Sequence, residues 1–469
     1  MRARQWTATA AGAAVMLGLS LSSPLGAEPA RAGFATGVDE PAIGDNTAAL
    51  QLARAEKLAI RYLRVVVSWN AIAPSGATRP GGFDPRNPAD PQYEWADTDA
   101  KVRRIVAAGK IPLLTLLGAP EWAQRGTAPK HSGAGGGAWR PSVPAFGDFA
   151  HAAAVRYSGS FADSPGGAPL PAVRYWQAWN EPNLPLFLAP ASAELYRGLL
   201  NGFFDEVKAV QPNSVVIAAG LAPVRSSTPA AFPLEFAAAL LCVTPRNGAF
   251  ARSPCRKRAR FDVFSVHPYS LLATPGRPAA IKGNMFVADV PEISRMLAYS
   301  QRLKTVSRGR KRLWSTEFAW FTNPPNKSIG DGYAFAGVRA SISLYRLWRA
   351  GVSMVMWSLL TDRSGGIVRG GGLYDADDRQ KPTARALRFP FYAQVRRGRA
   401  YVWGRAPSGD KARVLVTRGR GRRFRTVARV LPRRDGIFQL RFKARRPATF
   451  RASQGGVASL AIDSRLAFE

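Results

Sequence analysis

Two glutamates in this chain stand where a pair of carboxyl groups can divide the roles of acid and nucleophile. Glu181 lies in Trp179-Asn180-Glu181-Pro182-Asn183, directly after the strand-like run 173–178, and Glu317 closes the run Arg312-Leu313-Trp314-Ser315-Thr316-Glu317. A carboxylate at the point where a strand gives way to a loop is where a (β/α)₈ barrel gathers its chemistry, because the C-terminal strand ends converge on one open face. If both strands belong to one barrel, one carboxylate can attack an electrophilic carbon. The other protonates the departing oxygen and then acts as base on the incoming water. That division needs the carboxyl groups about 5 to 5.5 Å apart, whereas direct attack by water needs about 6.5 to 9.5 Å. Taken singly, each motif has a plainer reading. Asn-Glu-Pro also begins helices, with Pro182 at the first helical position, and Glu317 alone could be a solvated strand end.

The elements that must position the pair are legible as repeats of strand and helix. β-Branched and aliphatic runs recur at 33–38, 62–69, 111–117, 173–179, 214–220, 261–267, 312–317 and 352–359, each followed by polar or Gly/Pro punctuation. Helical periodicity falls between them at 46–59, 98–108, 146–157, 193–210, 290–305, 332–349 and 381–389. Strand and helix in alternation over this length predict an α/β protein with parallel strands, and eight strands is the count of a TIM barrel. A doubly wound sheet would carry a Gly-rich phosphate loop after its first strand, and none is present there. The cluster Gly365-Gly366 and Gly370-Gly371-Gly372 lacks a following Lys-Ser/Thr, so it reads as a flexible loop at the mouth of the site. Segments 74–93 and 125–142 read as further loops on that face. Counted in this order, Glu181 ends the fourth strand and Glu317 the seventh, an arrangement that suggests cleavage of glycosidic bonds. Trp122, Trp139 and Trp320 fall in loops on the same face, as subsite platforms or as ordinary loop packing.

From about residue 391 the pattern changes to short alternating strands at 400–403, 412–417, 424–430, 437–443, 448–452 and 458–462, with turn residues between them. The expected organisation is a barrel over 33–390 and a small all-β sandwich over 391–469 packed against it. Residues 1–32, with Arg2 and Arg4 before an apolar stretch at 8–21 and small residues beyond, read as a secretory signal. An uncleaved anchor is the alternative, and after signal removal no membrane span is expected. A secreted or cell-surface protein would form a disulfide between its only cysteines, Cys242 and Cys255; two free thiols are the other reading. Three histidines and two cysteines are too few for a Cys/His zinc site, and neither metal nor organic cofactor is expected.

The formal charge is +35, from 66 Lys and Arg against 31 Asp and Glu. It is densest over 391–469, with 20 basic and 4 acidic side chains. Such a surface attracts anionic wall polymers, other acidic glycans, membranes or nucleic acid, although an Arg-rich proteome would produce the same bias. Primary nucleic-acid binding would be steeply salt-dependent and sits poorly with a signal segment.

The motifs also carry a resemblance. Trp-Asn-Glu-Pro-Asn and Trp-Ser-Thr-Glu are similar to those of the (β/α)₈ glycoside hydrolase clan that holds an Asn-Glu acid/base after strand four and a Glu nucleophile after strand seven. Within that clan the chain resembles families 39 and 5, over about residues 33–391. The resemblance implies a retaining hydrolase acting on a carbohydrate, with Glu181 as acid/base, Glu317 as nucleophile and Asn180 on the substrate 2-hydroxyl. It further implies that Arg64 bonds the nucleophile, that His267 and Tyr269 flank the two glutamates, and that Trp357 forms a sugar-stacking floor. Family 5 members commonly place a His at the end of strand three, where this chain reads Leu116-Leu117-Gly118-Ala119-Pro120-Glu121-Trp122, so the likeness leans toward family 39. The rival is a barrel that keeps the fold and only binds glycans or cell wall; the presence of Glu181, Glu317, Arg64 and His267 together argues against it.

Overall fold

The computed structural model describes residues 33–39, 41–44, 46–225, 230–271, 273–362, 369–411, 413–420 and 423–466. The proposed signal segment, Gly365 and Gly366 lie outside them. Eight parallel strands close a barrel: β1 Ala35–Asp39, β2 Tyr62–Ser68, β3 Ile111–Leu117, β4 Tyr175–Ala178, β5 Val215–Leu221, β6 Val263–Val266, β7 Arg312–Phe318 and β8 Val352–Trp357. They pair in chain order, and β1 seals the barrel by pairing Ala35 with Met354 on β8 and Gly37 with Tyr62 on β2. Helices between the strands cover the outside, the longest being Ala193–Val210 and Tyr333–Arg349.

The inside of the barrel changes chemistry along its axis. Leu113, Val215, Ile217, Val263, Trp314, Met354 and Met356 form one buried apolar cluster, against which Tyr62 and Tyr175 pack. Two residues further along the same strand faces stand Arg64, Thr115, Gln177, Ser265 and Thr316, all buried. Because side chains alternate with period two, this pairing of an apolar and a polar residue at i and i+2 puts an oily plug below and a hydrogen-bonding layer above it. The plug excludes water from beneath, and the polar layer is what holds the site.

Beyond the barrel, Phe391–Arg396, Arg399–Arg405 and Ile437–Lys443 form one antiparallel sheet. Val414–Arg420, Arg423–Val430, Thr449–Gln454, Val457–Ala458 and Ile462–Asp463 form the second, and an apolar cluster that includes Phe391, Val402, Val416 and Phe450 lies between the two. Trp403 faces the barrel, fully buried, 5.2 Å from Trp348 and 6.0 Å from Phe34 between ring centroids. Ser341 Oγ also donates to the Phe391 carbonyl and accepts from its N–H. With its indole spent on this contact, Trp403 offers no platform for a ligand, and the described residues of barrel and sandwich belong to one compact unit.

Cys242 and Cys255 are bonded, closing the hairpin Val243–Arg246 and Ala249–Arg252 after the helix Pro233–Leu240. No helix among the described residues is long and apolar enough to cross a membrane.

Candidate active site

Strand β4 ends at Ala178, and the next five residues are suspended between the neighbouring strands. Trp179 N–H donates to the Leu116 carbonyl of β3, while Glu181 N–H donates to the Gly220 carbonyl of β5. Trp179 and Glu181 both adopt positive φ, at 66° and 42°, a backbone state that a non-glycine residue holds only when its surroundings enforce it. The enforcement is visible. The Trp179 indole is buried and donates to the Phe187 carbonyl, and the Asn183 amide bonds the backbone of Ala222 and Ala231. Pro182 therefore lies in a turn, not at a helix start; the next helix begins at Ala193. The pentapeptide thus has two anchors, Trp179 and Asn183, that aim the two polar residues between them.

Those polar residues meet a ring of buried partners. Arg64, with 1 % of its side chain exposed, donates from Nη1 to Glu317 Oε1 at 2.8 Å, from Nη2 to Asn180 Oδ1 at 2.6 Å and from Nε to Thr115 at 2.9 Å. His267 Nδ1 lies 2.9 Å from Glu181 Oε1 and 3.6 Å from Glu317 Oε2, and its Nε2 lies 3.0 Å from Thr316 Oγ1. Tyr269 donates to Glu317 Oε2 at 3.1 Å and also meets Ser358 Oγ. One carboxylate oxygen from each glutamate and one His267 nitrogen lie within 4.8 Å of one another. Such a trio could also ligate a cation, but here the Arg64 guanidinium already supplies positive charge beside Glu317.

Electrostatics separates the two carboxyls. Burial pushes the Glu181 carboxyl above its ordinary range, and the negative charge of Glu317 pushes the same way, against the His267 contact. Burial also raises Glu317, but there the charges of His267 and Arg64 and the hydrogen bonds from Tyr269 and Arg64 prevail, holding it below the usual carboxylate range. The two carboxyls are thereby pushed apart in proton affinity, Glu181 toward its protonated form and Glu317 toward its charged form. A bond placed between them can be attacked from one side and protonated on the other.

Glu181, Glu317, Asn180, Arg64, His267 and Tyr269 therefore converge as the sequence indicates. Trp357 does not offer the expected open floor. It is fully buried, donates to the Gly371 carbonyl and packs edge-on against Phe318. The cause is the segment around Gly370–Gly372, expected to be a flexible loop. Gly372–Tyr374 pairs with Leu359–Thr361, and the Gly370 carbonyl accepts from Thr322 and Lys381. A Cβ on Gly372 would fall 2.3 Å from the Asp362 nitrogen, so only glycine permits this approach. Trp320 is likewise buried, donating to Asp331. Trp122 is half-buried, donates to the Pro74 carbonyl and packs edge-on against Trp69 and Phe83, while Trp139 is half-buried beside Arg140. These rings chiefly bind loops to one another.

Two contributors escape the sequence reading. Asp39, at the end of β1, shares Arg64 Nη1 with Glu317 at 3.2 Å. Its only signal is position, since it ends a barrel strand as the two glutamates do. Gly220, at φ 66°, lets β5 pass against the site; a Cβ there would fall 2.7 Å from Gln177 Nε2 and 2.8 Å from His267 Nε2.

No protein-family model matches the chain, and no curated protein matches it. Solved structures do. A GH39 enzyme from Xanthomonas axonopodis pv. citri is 16% identical with a TM-score of 0.51, covering 88% of this chain and 91% of its own. A monomeric β-xylosidase from Caulobacter crescentus CB15 is 15% identical with a TM-score of 0.52, covering 88% and 96%. A family 39 glycoside hydrolase from Bacteroides cellulosilyticus WH2 is 15% identical with a TM-score of 0.51, covering 88% and 81%. At such identity the likeness establishes the fold: a (β/α)₈ barrel with a C-terminal β-sandwich.

Proposed function

We propose that this chain is an exported retaining glycoside hydrolase that cleaves O-glycosidic bonds of a polysaccharide or oligosaccharide. The observation that carries the reading is the carboxyl pair Glu181 and Glu317, with oxygens within 4.8 Å and proton affinities pushed in opposite directions. So close an approach fits the roughly 5 to 5.5 Å separation of a retaining site better than the roughly 6.5 to 9.5 Å of an inverting one. Glu317, ionised and held by Arg64 and Tyr269, attacks the anomeric carbon as Glu181 gives its proton to the leaving oxygen. Glu181, now a carboxylate beside His267, takes a proton from water, which releases the sugar from Glu317 with its original configuration. Asn180 directs its carbonyl to Arg64, which leaves its NH₂ to bond the substrate 2-hydroxyl. The barrel likeness to family 39 enzymes and the signal-like run at 1–32 agree with this reading.

A panel of α- and β-aryl glycosides, with the first-formed product followed by NMR, tests it. Hydrolysis with retained anomeric configuration is expected; an inverted first product would overturn the mechanism. The kcat/KM profile should be a bell. Activity requires ionised Glu317 and protonated Glu181, so it falls at low pH as Glu317 takes up a proton and at high pH as Glu181 loses one. The acid limb lies below, and the alkaline limb above, the ordinary glutamate value of 4.5. The two limbs are macroscopic constants of the coupled pair.

Arg64 should set the acid limb. Its replacement by Met removes the cation between Asp39 and Glu317, so Glu317 ionises at higher pH, and the limb should move up by roughly 1 to 3 units. A profile with an unmoved acid limb in a folded Arg64→Met protein would show that Arg64 only supports the barrel.

A further inference from the structure

Outside the barrel mouth, a cleft of about 670 Å³ on the second sheet of the sandwich gathers several arginines, lined by Arg418, Arg425, Arg446, Thr449, Asp463 and Arg465 among others. Strands Val414–Arg420 and Arg423–Val430 are antiparallel and place Arg418 directly opposite Arg425. Directly opposed residues share a face, and like charges so placed destabilise a sheet. Of the four arginines, only Arg465 meets a carboxylate among the described residues, pairing with Asp463 at 2.6 Å. Arg418 instead donates to the Arg446 carbonyl at 3.4 Å, which brings the third guanidinium-bearing residue to the same rim. A general excess of arginine would scatter charge over the surface; it does not require two guanidinium groups to face each other across a ladder beside a concavity.

We propose that this cleft binds an acidic polysaccharide, one bearing carboxylate or sulfate groups, and thereby holds the enzyme on an anionic glycan. Guanidinium groups present paired donors that match the two oxygens of a carboxylate or sulfate, and an anion seated between Arg418 and Arg425 removes their mutual repulsion. Single-stranded nucleic acid is disfavoured because none of the cleft's lining residues carries an aromatic ring on which bases could stack. The proposal extends the hydrolase reading by naming the charge of the polymer, and because its test reads binding, either can fail alone.

The test measures binding of the full chain to polygalacturonate and to dextran sulfate, with dextran as the neutral control and duplex DNA as the rival polyanion. The doubly substituted Arg418→Gln, Arg425→Gln protein is compared with Arg308→Gln, Arg310→Gln, which loses the same charge from exposed positions on the barrel. The cleft variant should bind one or both acidic glycans about tenfold more weakly, with a shallower salt dependence, while the barrel variant changes little. Hydrolysis of a neutral aryl glycoside should be the same in all three proteins. Equal losses in both variants would overturn the proposal in favour of a diffuse field, and so would duplex DNA that binds through the cleft as tightly as either glycan.

Discussion

Glu317→Ala lowers kcat on an activated aryl glycoside by roughly 10⁵- to 10⁶-fold, the scale on which hydrolases lose activity when the group that forms their covalent intermediate is deleted. The loss is expected on every substrate, because without Glu317 no glycosyl-enzyme can form however good the leaving group. The cavity left by the carboxylate lies beside Arg64, which still has Asp39 at 3.2 Å and Asn180 at 2.6 Å, so the buried guanidinium keeps partners and the barrel should fold. Far-UV circular dichroism checks that. Azide admitted to the cavity attacks the face Glu317 would have used while Glu181 still donates its proton. The product should be a glycosyl azide of inverted configuration. Wild-type rates in the folded Glu317→Ala protein would sink the assignment, whereas an inactive protein that azide rescues with inversion identifies the nucleophile by stereochemistry and not merely by loss.

What could be read before any coordinates follows from how far each signal reaches along the chain. Barrel strands are local: Ile111–Leu117 falls where the sequence places it, and Tyr62–Ser68 differs by one residue, because buried parallel strands are short apolar runs between breakers. The glutamates were legible for the same reason, since each ends such a run and the topology alone brings them together. Asp39 ends a run too, but a lone aspartate beside no motif carries little information until Arg64 is seen to join it to Glu317. Trp357 misled because its burial is decided by Gly371, on a segment that returns after the strand has ended. The identity of a side chain says that it has an apolar face, and only the fold says what covers that face. Helix Pro233–Leu240, nearly all apolar, lacks the polar face by which a 3.6-residue period would announce it.

Glu181→Ala should split by substrate where Glu317→Ala does not. A poor leaving group, such as a second sugar, needs the proton that Glu181 delivers, and its kcat/KM should fall by about 10²- to 10⁴-fold. A dinitrophenyl glycoside leaves unprotonated, so its kcat/KM, which reports formation of the intermediate, should fall by less than about tenfold. Its kcat should still drop, because water attacks the intermediate slowly without a base, and the glycosyl-enzyme should accumulate after a burst. Azide needs no base. It should restore kcat and give a glycosyl azide of retained configuration, the opposite of the product from Glu317→Ala. His267 sharpens the test: its Nδ1 meets Glu181 at 2.9 Å and Glu317 at 3.6 Å, so it remains beside Glu317 when Glu181 is gone. With the raising effect of the Glu181 burial site removed, the alkaline limb of kcat/KM for the activated substrate should disappear while the acid limb, set by Glu317, remains. An alkaline limb that survives the substitution would assign the proton to another group, and His267 would then be the acid to test.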